Sequence, residues 1–237
     1  MLDAVPAHCA DLLASKAVDF ALVPVIEYQR IANVKLVKDV CVGSRREVRS
    51  VVLASRLNDL KKIQTVALDE SSRTSATLVK IVFKEFLGVE PKWTTSSPDI
   101  NEMLSQNDAA LIIGDPGMLF ERDNLHVWDM AALWKENTGL GFVFAMWMGI
   151  DSAVKVPAFA AARDEGLIRI EEIVSFYQGL TRMPAVEIRN YLTQNIVFRI
   201  DEDLNKGMNL YFKLAHKHGL IPELKPLNFI REAASID

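Results

Sequence analysis

Four hydroxyls and one guanidinium fall within five residues, Ser71-Ser72-Arg73-Thr74-Ser75. Short hydroxyl side chains donate hydrogen bonds to an anion, and an arginine fork fits a carboxylate with two parallel bonds. Just upstream, Val66-Ala67-Leu68 reads as a buried strand. Just downstream, Leu78, Val82 and Phe86 recur at helical spacing until Gly88 supplies a stop. The hydroxyl cluster therefore sits where a strand turns into a helix. The first N–H groups of a helix lack internal partners, and the macrodipole adds partial positive charge there. Capping accounts for one or two such hydroxyls, but not for four beside an arginine. The pattern points to an anion site.

The elements that must hold this site follow from the rest of the chain. The 237 residues carry a net charge of −4, half of them apolar and about a quarter charged. That balance suits a globular protein and gives no basic surface for a nucleic-acid backbone. The longest apolar run, Gly139–Ile150, is too short to span a bilayer, and Asp3 and His8 stand where a leader would be basic and then apolar. No membrane association, a cytoplasmic location and an open oligomeric state are the expectation. Cys9 and Cys41 are isolated from each other and from His, so neither metal nor cofactor is expected.

Helices are predicted over Pro6–Ser15, Ile100–Ser105, Asp129–Glu136, Val154–Glu165, Ile170–Tyr177, Ala185–Gln194 and Asp201–His216. Strands are predicted over Leu2–Val5, Asp19–Val23, Val34–Val42, Glu47–Ser55, Lys92–Thr95, Ala109–Ile113, Phe142–Met148 and Ile196–Ile200. Strands alternating with helices imply parallel sheets in two α/β lobes. One lobe is expected from 1–65 plus 145–237, with the C-terminal helices packed on it, and the other from 66–144. The chain should cross between them near Leu60–Thr65 and Phe142–Met148. Ligands in open α/β sheets lie beyond the carboxyl ends of strands. Pro24-Val25, Gly43-Ser44, Asp69–Ser75 and Gly114-Asp115 should then ring a common cleft. Gly114 allows close approach to the backbone, and Pro116 is expected to hold Asp115 out of helical geometry. Glu27-Tyr28 reads as an exit loop facing solvent. Trp134 and Trp147 read as core or lobe-interface aromatics.

Asp19–Tyr28, Val48-Arg49-Ser50-Val51, Ala67-Leu68-Asp69 with Ser72-Arg73-Thr74-Ser75, Asp108–Asp115, and Thr138-Gly139-Leu140 running into Phe142–Ala145 occur in an order and spacing that resembles the chorismate dehydratases of the futalosine route to menaquinone. The likeness runs over nearly the whole chain, and its paired Ser-Arg-Thr-Ser and Ile-Ile-Gly-Asp blocks are the specific part. It implies the type II periplasmic-binding-protein fold, a cytoplasmic lyase, and conversion of chorismate, a dicarboxylate, to 3-(1-carboxyvinyloxy)benzoate. It also implies substrate binding at Ser72, Arg73, Thr74, Ser75 and Gly114, with Ser50 and Ser44 from the other lobe. Ser72 and Asp115 are expected at the chemistry, and a substrate carboxylate could itself serve as base. His8, His126, His216 and His218 are expected to play no part. The family usually opens with a strand and a Ser-Tyr-Leu-Asn turn ahead of the point where this chain starts, and commonly has Pro where Gly141 stands. Two other readings share these residues. One is a binding protein that holds an organic anion without chemistry, and the other is the sister enzyme that releases dihydroxynaphthoate from a cyclised futalosine.

Overall fold

Runs of Val, Ile, Leu and Ala bounded by turn residues build two sheets, and the helices close over them. The structure, a computed structural model, describes residues 2, 4–150, 158–181 and 183–230. The first sheet joins β1 (Phe20–Pro24), β8 (Phe142–Ile150), β2 (Val34–Ser44) and β9 (Phe229–Ile230) in that order. The second joins β5 (Lys92–Ser96), β4 (Thr65–Asp69), β6 (Ala109–Ile113), β3 (Val51–Ser55) and β7 (His126–Asp129). The helices are α1 (Pro6–Ala14), α2 (Thr74–Ile81), α3 (Ile100–Gln106), α4 (Gly114–Leu119), α5 (Met130–Thr138), α6 (Phe159–Ile168), α7 (Ile170–Thr181), α8 (Ala185–Asn190) and α9 (Glu202–Lys217).

Both sheets are mixed rather than parallel. Among the described residues, strands pair in parallel only at β4 with β5 and β6 and at β2 with β9, while β8 runs antiparallel to β1 and β2, and β3 antiparallel to β6 and β7. The expected division at Leu60–Thr65 does not follow the sheets. Val51–Ser55 is buried throughout and pairs with β6 and β7, so the first change of sheet falls at 45–50 and the second at 139–141. The segment Ile196–Ile200 is no strand: Val197 makes an isolated bridge to Gly43, and Phe198 O accepts from Cys41 N at 3.1 Å, without extending into a ladder. Leu2–Val5 forms no strand among its described residues, and the expected start of the helix at 154 lies outside them.

Helix α2 runs on into a wider turn, Val82–Leu87, which Gly88 ends at φ 70°. Its buried side, Leu78, Val79, Ile81, Val82 and Phe83, belongs to one hydrophobic core shared with both sheets and with α9. Trp134 at the centre of that core is fully buried, as its sequence context suggested, and packs edge-on against Phe142 and Tyr211. At 139–141 the backbones come unusually close. A side chain on Gly207 of α9 would place its Cβ 1.9 Å from the Gly141 carbonyl oxygen, so only glycine fits there. The Gly141 N–H donates to Asp203 Oδ2 at 2.9 Å and its carbonyl accepts from Trp134 Nε1 at 3.2 Å. A proline at 141 would lose the first of these bonds.

Candidate functional site

The carboxyl ends of β4 and β6, the start of β3 and the end of β1 open onto one cleft of about 1120 Å³. Leu12, Phe20, Leu22, Phe144 and Trp147 form its apolar wall, and Ser50, Ser71, Ser72, Arg73, Thr74, Ser75 and Gly114 its polar one. Concave sites with a mostly apolar lining and a few converging donors are the usual form of small-molecule pockets.

At the polar wall, β4 ends in Asp69, which is buried and organises the turn. Its carboxylate accepts from Ser71 N at 2.9 Å, Ser71 Oγ at 2.6 Å and Ile113 N at 3.2 Å. Helix α2 then starts without any side-chain cap. Thr77 N–H is the first to find a carbonyl on the helix, Arg73 O at 3.2 Å, which leaves the N–H groups of 74–76 as the orphan donors of the helix start. Ser72 is only 7 % exposed, and its hydroxyl has no hydrogen-bond partner. A buried, unpaired hydroxyl costs about 1–3 kcal/mol. Ser75, 4 % exposed, lines the cleft beside it. Thr74 lines it too, but its hydroxyl is already used, accepting from Ile26 N at 3.3 Å.

Arg73 departs from the expected direct fork. The residue lines the cleft, yet its guanidinium donates to Asp11 Oδ1 at 2.7 Å and Glu27 Oε2 at 3.1 Å. Burial pulls the Arg73 pKa down, but the bonds and charges of Asp11 and Glu27 together raise it above its ordinary value. The cause lies in Glu27, which is 4 % exposed rather than on a solvent-facing loop, and which needs both Arg73 and Arg30, the latter at 2.8 Å. Tyr28 is buried as well, its hydroxyl donating to Pro226 O at 2.5 Å and accepting from Asn228 N at 2.8 Å. The C-terminal segment holds the Tyr28 hydroxyl through these two bonds. The polar wall thus consists of helix N–H groups and hydroxyls, while Arg73 is held in ion pairs with Asp11 and Glu27.

Ser50 and Gly114 join Ser72–Ser75 at the cleft, and two other expected residues do not. Ser44 is buried outside the lining, its hydroxyl donating to Glu47 O at 2.9 Å and accepting from Arg46 N at 3.3 Å to close the turn after β2. Asp115 is exposed in the first turn of α4, also outside the lining. Pro116 does not exclude it from the helix, because proline lacks only an N–H that the first turn leaves unpaired anyway. None of the four histidines lines the cleft. Trp147, Tyr177 and Tyr191 do. Strand alternation in β8 could have indicated the outward turn of Trp147, since Met146 and Met148 on either side are fully buried. No spacing marks Tyr191, which arrives from the far C-terminal part of the chain.

Two mixed sheets with a ligand-sized cleft between them, and a helix start aimed into it, define the class of two-lobed periplasmic-binding-protein-like folds. Solved structures agree on the fold: a protein from Archaeoglobus fulgidus superposes with a TM-score of 0.66 at 12 % identity, covering 93 % of this chain and 86 % of that one. The aliphatic sulphonate binding protein SsuA of Escherichia coli superposes at 0.60 with 15 % identity, covering 99 % and 84 %. A family model described as menaquinone biosynthesis matches residues 1–217, and the chain belongs to that family. A chorismate dehydratase of Thermus thermophilus is 29 % identical over 233 residues, covering 89 % of this chain and 84 % of that protein.

Proposed function

We propose that this protein dehydrates chorismate to 3-(1-carboxyvinyloxy)benzoate, in the cytoplasm and as a step of the futalosine route to menaquinone. The single observation that carries the reading is the partnerless Ser72 hydroxyl, beside three orphan helix N–H groups in a cleft walled by aromatic and aliphatic side chains. Such a cradle suits a carboxylate on a ring. The elimination removes a ring proton and the neighbouring hydroxyl as water, and aromatisation drives it. The protein therefore has to orient the substrate and exclude competing conformers rather than supply a strong nucleophile. The lack of a histidine at the cleft is consistent with a substrate carboxylate taking the proton.

Two lobes, meeting at 45–50 and 139–141, would close over the ring. The test is to incubate the protein with chorismate and follow the loss of one water by mass together with the rise of aromatic absorbance. Binding without product would make it an organic-anion-binding protein. Release of dihydroxynaphthoate from a cyclised futalosine would make it the sister enzyme.

A further inference from the structure

Tyr191 begins a single wide helical turn, Tyr191–Asn195, that follows directly on α8. Such turns displace one residue from the regular helical positions and are frequent where a side chain has to be placed for function. Here the first residue of the turn is an aromatic that lines the cleft, with its hydroxyl donating to Ser50 Oγ at 2.9 Å. Burial raises the Tyr191 pKa further than the Ser50 hydrogen bond lowers it, so the phenol keeps its proton at neutral pH.

Ser50 is held from three sides. Asp129 accepts from Val48 N at 3.0 Å and from Arg49 N at 2.6 Å, and Arg49 is fixed at φ 64°, a conformation that side chains other than glycine adopt only when the surroundings impose it. The Ser50 carbonyl accepts from Gly114 N at 2.8 Å. Its side chain is then set by the phenol. A serine oxygen that accepts from tyrosine still has its own proton to give, and for a residue 5 % exposed on the cleft wall the open direction is the cleft.

We propose that Tyr191 is a positioning residue for the bound acid: its phenol fixes the Ser50 hydroxyl so that the serine proton faces an oxygen of the ligand, opposite the helix start that carries Ser72. This rests on the chorismate reading above. The C-terminal helical part then completes the binding wall, although none of its expected residues was placed there.

The test is a double-mutant cycle with Tyr191→Phe and Ser50→Ala, read as kcat, KM and Kd for chorismate. Tyr191→Phe keeps the ring and its packing, so the thermal midpoint should hold while kcat/KM falls roughly 5- to 30-fold, the worth of one oriented hydrogen bond. Ser50→Ala should cost at least as much, and the double variant no more than Ser50→Ala alone. In Ser50→Ala the Tyr191 phenol should also titrate at higher pH, a change in ultraviolet absorbance that holds even where activity is lost. Losses that multiply in the double variant, or a Tyr191→Phe protein equal to wild type, overturn the proposal. Wild type that binds chorismate without consuming it sinks the dehydratase reading, and the same cycle in Kd then decides the role of Tyr191. Wild type that neither binds nor consumes it removes both.

Discussion

Ser72→Ala should make the empty protein more stable and the occupied protein less so. The Ser72 hydroxyl is buried without a partner, a state that costs about 1–3 kcal/mol. Deleting one oxygen leaves only a small void, so a net gain of about 1 kcal/mol is expected, or about 2–4 °C in thermal midpoint for a chain of this length. A charge-assisted hydrogen bond to a carboxylate contributes about 1.5–3 kcal/mol, so affinity should fall about 10- to 150-fold. At a ligand concentration about 100 times the wild-type Kd, wild type gains about 2.7 kcal/mol by mass action. A variant binding about 30-fold more weakly gains about 0.9 kcal/mol under the same conditions. The order of thermal midpoints should therefore reverse between empty and ligand-saturated samples, measured by scanning calorimetry with the product 3-(1-carboxyvinyloxy)benzoate, which keeps both carboxylates and is not turned over. A variant that melts lower than wild type without ligand, or that binds with unchanged affinity, would refute the reasoning.

Arg73→Met should destabilise the protein by about 1–3 kcal/mol in chemical denaturation, because buried Glu27 is left with Arg30 alone. Arg45→Ala, which breaks the exposed pair with Asp201, should cost less than about 1 kcal/mol and serves as the control. Gly207→Ala should cost about 3 kcal/mol or more, since its Cβ would meet the Gly141 carbonyl oxygen at 1.9 Å, and a fluorescence melt would register it. Glu85 accepts from Lys217 and His218, each at 2.7 Å, and these bonds hold its carboxyl below the ordinary carboxylate value. A depressed carboxyl stabilises the fold above its unfolded-state pKa and loses that contribution as pH falls through the folded one. The stability gap between wild type and Glu85→Gln should accordingly shrink on acidification, and a gap that widens would contradict the assignment.

The local elements were legible because their signals are local. The apolar run Ala109–Ile113 gave β6 to the residue, and Gly88 marked the end of the long helix. Sheet order was not legible, because Val51–Ser55 pairs with strands more than fifty residues downstream, and alternation alone does not show whether a strand runs parallel. At the site, hydroxyl density located the helix start correctly. Arginine chemistry misled at the same place, since the sequence does not reveal that Glu27 folds inward and claims Arg73. Tyr28 escaped for a related reason: its partners, Pro226 and Asn228, lie 198 and 200 residues away. Tyr191 could not be seen at all, because its role depends on a meeting with Ser50 across 141 positions.

The backbone contact between Gly141 and Gly207 has a mechanical corollary. With no side chain to act as a cushion, α9 and the return strand connection are welded into one piece, further pinned by the Asp203 bond. Any relative movement of the two sheets would therefore carry α9 along with the 139–141 connection.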